Sequence, residues 1–386
     1  MKLKILFVID SLNSGGAEKS LISLLSLFDY DKYDVDLLMF SRKGLYLSLL
    51  PKEVNVLKAP ETLGKHQRIN LKHLYLKLGN SLSLRNPFYK KFLHSSQINW
   101  KWKSQGIKQL DEKYDIAIAY SQGFPTYFVA EKVESTKKYC WINTDYKKAS
   151  YNKKFDTQFY YQYNNIVAVS ESNKEIFIKE MPLAKDKTLV IYDIISPKLV
   201  RTMSKQPVAY RDNYKGLKIL TIGRLVDVKG YDLAIKACYQ LKKEGLNFKW
   251  YSIGEGELKP KLEKLVKDYG LEDTFIFLGP HQNPYNYLKM CDIYVQPSRF
   301  EGFGMAIAEA KILHKPIIST NFPVVYNQIE DGKNGIIVSM NPKEISQGIK
   351  KIITNKELNE KIIYNLKHES MGTENEIYKL YSLIES

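Results

Sequence analysis

Acidic side chains are scarce in this sequence: 42 Asp and Glu stand against 58 Lys and Arg in 386 residues, a formal net charge of +16. The imbalance favours anionic partners, whether nucleic acid, an anionic lipid surface or a phosphorylated substrate, without choosing among them. Cysteine is also sparse. Cys140, Cys238 and Cys291 lie far apart, with neither the paired spacing of a zinc site nor the even count of a disulfide framework, so a reducing compartment is expected. No apolar run approaches the ~18–20 residues needed to span a bilayer, so membrane association is expected to be peripheral. The segment from Met1 to Ile9 carries two lysines and a short apolar run. Asp10 and Asn13 interrupt it and no small-residue cleavage site follows, so it reads as a first strand and not a signal peptide. The six histidines, His66, His73, His94, His281, His314 and His368, show no pairing at helical or strand spacing, and no metal site is expected.

What is present is the grammar of an α/β protein. Leu3 to Ile9 is followed by a turn at Gly15-Gly16 and by the periodic Leu21, Leu24, Leu25 and Phe28, which predicts strand, turn and helix. Apolar runs recur at Val35 to Phe40, Ile116 to Ala119, Tyr139 to Ile142 and Ile166 to Val169, separated by segments long enough for crossover helices. Between residues 192 and 215 prolines and polar residues break the rhythm, and a hinge is placed there. A second series follows: Leu217 to Ile222, Phe248 to Ile253, Phe275 to Leu278, Ile293 to Val295, Pro316 to Ser319 and Gly335 to Val338. Two open, mostly parallel sheets are predicted, with ligands at the carboxyl ends of their strands.

The residues suited to chemistry stand just after predicted strands. In Gly223-Arg224-Leu225-Val226-Asp227-Val228-Lys229-Gly230 two permanent cations lie five residues apart where a helix begins, an arrangement able to meet a diphosphate. Two solvated surface charges are the plainer alternative. After the strand ending at Val295 comes Pro297-Ser298-Arg299-Phe300-Glu301-Gly302-Phe303-Gly304-Met305, and Glu309 follows within an apolar helix predicted from Met305 to Leu313. A carboxylate there is expensive to bury unless hydrogen-bonded, and a ribose diol offers two donors. Glycines 302 and 304 suit close backbone approach to anionic oxygens. Earlier in the chain, Trp141-Ile142-Asn143-Thr144-Asp145 closes another strand. Asn143 can orient a hydroxyl but cannot carry a proton near neutral pH. Asp145 is either a base or a local cap or ion-pair partner of Lys147 or Lys148.

The succession GRLxxxKG, PSxxEGFG and a second glutamate completing E-x7-E resembles the retaining glycosyltransferases of family 4, glycosyl transferases group 1. Gly254-Glu255-Gly256-Glu257 and Glu330-Asp331-Gly332-Lys333-Asn334-Gly335 are similar to that family's pattern as well. The resemblance implies the GT-B fold, two Rossmann-like domains facing each other across a cleft. Residues 1–195 would be the acceptor-binding domain, 196–368 the nucleotide-sugar domain, and 369–386 a helix crossing back to the first. It further implies that Arg224 and Lys229 neutralise the donor diphosphate. Glu309 would hold the ribose, and Glu301 would contact the sugar and stabilise developing positive charge. Gly15, Gly16, Gly302, Phe303, Gly304 and Met305 would complete the donor site. Many relatives carry a histidine at the position of Asn143, so a histidine base is absent from the expected mechanism. Proton transfer to the departing phosphate, or to Asp145, takes its place. The donor is expected to be UDP-linked, with neither cofactor nor metal, and the acceptor a hydroxyl of a glycan or lipid-linked sugar in cell-surface polysaccharide or glycolipid synthesis. Alternatives are a catalytically altered binding protein for nucleotide sugars or glycans and a nucleotide-sugar epimerase.

The stretch 64–108 stands apart. Lys65, His66, Arg68, Lys72, Lys77, Arg85, Lys90, Lys91, Lys101, Lys103 and Lys108 are interleaved with Phe88, Trp100 and Trp102, which predicts a basic, aromatic helical surface resting on an anionic membrane. An ordinary solvated basic face is the alternative, and no recognised nucleic-acid module accompanies the charge. The expected location is cytoplasmic, peripheral on the inner face of the plasma membrane.

Overall fold

The computed structural model describes residues 2–13, 15–60, 71–207, 210, 212, 214–369 and 371–386, the side chains of 71–73 excepted. Lys65, His66 and Arg68 of the basic stretch, and the side chains of Lys72 and His73, lie outside the described residues. Two compact units divide the chain.

The first unit holds a seven-stranded sheet. Strand β1 (Leu3–Ile9) leads into α1 (Gly16–Ser26), β2 (Tyr33–Met39) and the short β3 (Asn55–Val56). Three helices come next among the described residues: α2 (Leu71–Arg85), α3 (Pro87–Phe92) and α4 (Ser95–Lys103). Then β4 (Lys113–Ala119), α5 (Phe124–Lys132), β5 (Glu134–Ile142), α6 (Lys153–Tyr160), β6 (Asn165–Ala168), α7 (Glu171–Glu180) and β7 (Thr188–Val190) complete it. The order is β3-β2-β1-β4-β5-β6-β7, every pair is parallel, and Ile5 lies against Val35 on one side and Ile116 on the other. Strands covered on both faces need unbroken apolar runs, which is why Ile5 to Val8 are all fully buried.

The second unit begins with α8 (Pro197–Met203) and alternates β8 (Leu217–Ile222), α9 (Tyr231–Lys243), β9 (Phe248–Ile253), α10 (Lys259–Asp268), β10 (Phe275–Gly279) and α11 (Tyr285–Met290). It continues through β11 (Ile293–Gln296), α12 (Met305–Ile312), β12 (Ile317–Thr320), β13 (Ile336–Val338), α13 (Pro342–Thr354) and α14 (Lys356–His368). Its six parallel strands run β10-β9-β8-β11-β12-β13. Both sheets reverse direction of growth beside their first strand, the topological switch point where such folds place ligands. The two-sheet α/β architecture expected from the apolar runs is the one observed. The short edge strands β3 and β7 had no run long enough to announce them.

The last helix, α15 (Glu376–Glu385), groups with the first unit. Ile377, Leu380 and Ile384 bury one stripe of it. Tyr381 stacks on Tyr33 at 5.5 Å, and its hydroxyl accepts from the Asp29 amide at 2.9 Å. The three helices α2–α4 are anchored through α4. Trp100 sits in the core edge-on to Phe124, and the Gln97 amide donates to buried Asp156 at 2.7 Å. Asp156 also accepts from the Tyr127 and Tyr146 hydroxyls, at 2.7 and 2.6 Å. Cys140, Cys238 and Cys291 are buried free thiols. No helix among the described residues is long and apolar enough to cross a membrane.

Candidate active site

The second unit gathers Lys229, Glu301 and their neighbours at the carboxyl end of its sheet. Beyond β8, fully buried Leu225 anchors the loop, its amide bonding to Glu255 O at 3.0 Å. Arg224 is left exposed, with no ion pair among the described residues. A single 3-10 turn, Asp227–Lys229, then ends at Gly230 with φ 64°. Glycine is required there, because a Cβ would stand 1.9 Å from Pro297 O. That contact presses the turn against the loop after β11. Arg299 fastens the two together: its amide donates to Val228 O at 2.7 Å, and its guanidinium grips Asp232 with two bonds of 2.9 and 2.8 Å. Those bonds hold the guanidinium above its ordinary pKa.

Lys229 is thereby delivered to Glu301. Its ammonium lies 2.7 Å from Oε1 and 2.6 Å from Oε2, and Gln296 Nε2 and Ser298 Oγ donate to the same Oε1 at 2.7 and 2.6 Å. Tyr294 steadies Gln296 through its hydroxyl, and Thr320 Oγ1 bonds to Ser298 O. A carboxylate with this many donors is fixed in place. Glu309 on α12 is wholly buried and accepts from the Tyr285 hydroxyl at 3.0 Å. Tyr285, on α11, is a partner that no spacing in the sequence indicated. Gly304 caps α12 with φ 91°, a conformation other residues avoid. Gln328 binds Phe303 O beside it. Gly302 has no such φ. Phe303 is buried and Met305 half-buried.

In the first unit, Asn143 follows β5 with both amide atoms buried and without a hydrogen-bond partner. Trp141 stacks on Tyr120 at 5.1 Å. Buried Asp145 caps a turn: Oδ1 accepts from the Lys148 amide at 2.9 Å, and its carbonyl accepts from Ala149. This is the local-cap alternative of the sequence reading. Gln122 Oε1 accepts from the Thr144 amide and hydroxyl at 2.9 and 2.7 Å. Gly15 and Gly16 group with the second unit, Gly16 opening α1. Among the described residues no three of His, Cys, Asp and Glu gather as metal ligands would.

Two parallel α/β sheets, with cations and paired glutamates at the strand ends of the second, define the GT-B fold. The similarity to HepE of Anabaena, solved in complex with UDP and glucose, has the same meaning: TM-score 0.72 at 18% identity, with all of both chains covered. Residues 204–369 match the family described as glycosyl transferases group 1. Among curated relatives, an uncharacterised glycosyltransferase of Methanocaldococcus jannaschii is 29% identical over 197 residues, 48% of each chain. The match therefore spans about half of that relative's length. The N-acetylgalactosamine-N,N'-diacetylbacillosaminyl-diphospho-undecaprenol 4-alpha-N-acetylgalactosaminyltransferase of Campylobacter jejuni is 25% identical over 350 residues, 90% of this chain and 89% of the relative.

Proposed function

We propose that the protein transfers a sugar from a nucleoside diphosphate, a UDP-sugar in the first instance, to a hydroxyl of a glycan or lipid-linked acceptor, with retention and without a divalent metal. The Lys229–Glu301 ion pair, with exposed Arg224 on the same loop as Lys229 and buried Glu309 on the helix that follows Glu301, is the observation that carries this reading. Glu309 offers carboxylate oxygens to the ribose diol. Arg224 and Lys229 offset the charge that the diphosphate gains as its bond to the anomeric carbon breaks. Glu301 faces the sugar and stabilises its developing positive charge. The acceptor oxygen bonds to the anomeric carbon on the face the diphosphate leaves, and its proton passes to the departing phosphate oxygen. Asn143 can orient a hydroxyl but takes no proton, and the cap made by Asp145 gives that carboxylate a local task.

The UDP in the HepE complex supports the choice of nucleotide, and the diphospho-undecaprenol acceptor named for the Campylobacter relative supports a lipid-linked acceptor. Polysaccharide or glycolipid assembly on the cytoplasmic face of a membrane follows from that choice.

The test is a thermal-shift and hydrolysis screen of UDP-, GDP- and ADP-sugars without added metal, with Glu309→Ala and Arg224→Ala as controls. Stabilisation and slow hydrolysis by one donor, lost in both variants, is the expected result. No response to any donor would move the protein to the class of non-catalytic binders.

A further inference from the structure

The helices α2 and α3 carry an apolar face that stays exposed among the described residues. The inner side of α2 is closely packed on α4: a Cβ at Gly79 would stand 2.4 Å from the Trp102 ring, Trp102 Nε1 donates to Ser83 Oγ at 3.0 Å, and Asn80 bonds to Asn99 at 3.1 Å. Glycine in mid-helix weakens a helix, and here it permits the indole to lie flush against the backbone. The outer side is reversed from what water selects. Leu74, Leu78 and Leu82 recur every four residues, so they form one stripe. With Tyr75, and with Phe88 and Phe92 on α3, they are between 45% and 67% exposed. Isolated exposed apolar residues are ordinary, whereas a contiguous stripe marks an interaction surface.

The charge around the stripe identifies its occupant. From Thr62 to Leu110 the sequence contains no Asp or Glu. Lys77, Arg85, Lys90, Lys91 and Lys101 are all exposed at its flanks. Lys101 lies over the Tyr89 ring at 5.6 Å and Lys91 over Phe92 at 6.0 Å, so their chains run alongside apolar surface with the charge at the rim, as snorkelling lysines do. Lys103 is different: it is half-buried, and burial pulls its pKa down, so it belongs to the packing of α4 and not to the rim. Two copies of this chain meeting through the face would bring cations against cations. An exposed apolar stripe whose own helices carry cations and no acidic residue is instead complementary to an anionic bilayer.

We propose that α2 and α3 lie in the plane of an anionic membrane, with Leu74, Leu78, Leu82, Phe88 and Phe92 entering the acyl boundary and the flanking cations on headgroup phosphates. The proposal goes beyond the transfer reaction and does not depend on it.

Sedimentation of the full chain with vesicles of phosphatidylcholine, with and without phosphatidylglycerol, tests it. Binding is expected to the anionic vesicles only and to weaken with salt. Neutralising Lys90 or Lys91 is expected to lower partitioning about fivefold each, and Leu78→Ser or Leu82→Ser roughly tenfold each. Lys103→Gln is expected to leave it unchanged. Thermal stabilisation by nucleotide, measured on the same variants without lipid, reports separately on fold and donor site. Absence of wild-type binding, or equal binding by the leucine variants, would overturn the proposal. So would a wild-type dimer in solution that Leu78→Ser dissociates, which would give the face to a second copy.

Discussion

The Lys229 ammonium sits between the two carboxylate oxygens of Glu301, at 2.7 and 2.6 Å. The one cation of the proposed diphosphate site that is held in place is therefore held by the residue assigned to the sugar. A donor must draw Lys229 part of the way from Glu301, which couples nucleotide binding to the charge that faces the sugar.

Glu301→Gln separates the two roles. The amide retains contact with Ser298 and frees Lys229, so UDP affinity measured calorimetrically is expected to hold or tighten while sugar transfer falls by a hundredfold or more. Lys229→Ala is expected to weaken UDP binding by about tenfold to a hundredfold, the ~1.5–3 kcal/mol of a hydrogen bond to a charged group. It also leaves Glu301 without its cation.

At Glu309 the Tyr285 hydroxyl supplies one donor from inside the protein. Tyr285→Phe is expected to cost ~1–3 kcal/mol of stability, since it removes a donor from a buried carboxylate. It should shift the urea midpoint and weaken nucleotide binding modestly. Glu309→Ala should abolish nucleotide-dependent thermal stabilisation. An unaltered response in Glu309→Ala would remove the ribose assignment.

Asp145 distinguishes a cap from a base. Asparagine caps the same turn, so Asp145→Asn should leave turnover unchanged, and Asp145→Ala should lower the melting temperature through the loss of ~1 kcal/mol. A hundredfold fall in turnover for Asp145→Asn, with the melting temperature retained, would restore the base.

Burial pushes the Asp193 carboxyl up to about 7, with the Ser20 hydroxyl pulling the other way. The unfolded value is near 3.9. The folded state therefore holds the proton more tightly, and this group's stabilising contribution is complete below about pH 4 and lost as pH rises through 7. Asp193→Asn is expected to exceed the wild type by roughly 2–4 kcal/mol in urea unfolding at pH 8 and to lose that advantage at pH 4. A constant difference between the two proteins across that range would refute the assignment.

The long strands were legible because strands covered on both faces demand apolar runs: β8 and β9 begin and end where Leu217 to Ile222 and Phe248 to Ile253 do. The two-residue β3 and three-residue β7 are edge strands whose register comes from their neighbours and not from a pattern of their own. Glu301 and Glu309 were visible as a spacing along one segment. Tyr285 was not, because it reaches Glu309 from another helix and only the folded chain brings the two together. Ser298 stood in the quoted motif and Gln296 one residue before it, but neither had a role until folding brought their donors to one carboxylate oxygen. For Lys103, composition counted a surface cation where the structure has a half-buried stem, since charge tallies carry no direction. His94 likewise read as an unpaired histidine, yet it caps α4, its Nδ1 accepting from the Ser96 amide while Gln97 binds back.

The grouping of α15 with the first unit makes the second unit a guest in the reading frame of a host. Gly15 and Gly16 aside, the chain leaves the first unit after Asp193 and rejoins it at Asn375. The two passages are neighbours: Ile195 exchanges hydrogen bonds with Thr373, and the Tyr192 amide binds Glu376. A gene from which the codons for 194–374 are cut, with a few glycine codons in their place, would still encode the whole seven-stranded sheet and its closing helix. A stop codon at 375 would leave the guest complete and strip the host of the ring that stacks on Tyr33. For the host, the final dozen residues are therefore as much a part of the first strand's surroundings as the residues that begin the chain.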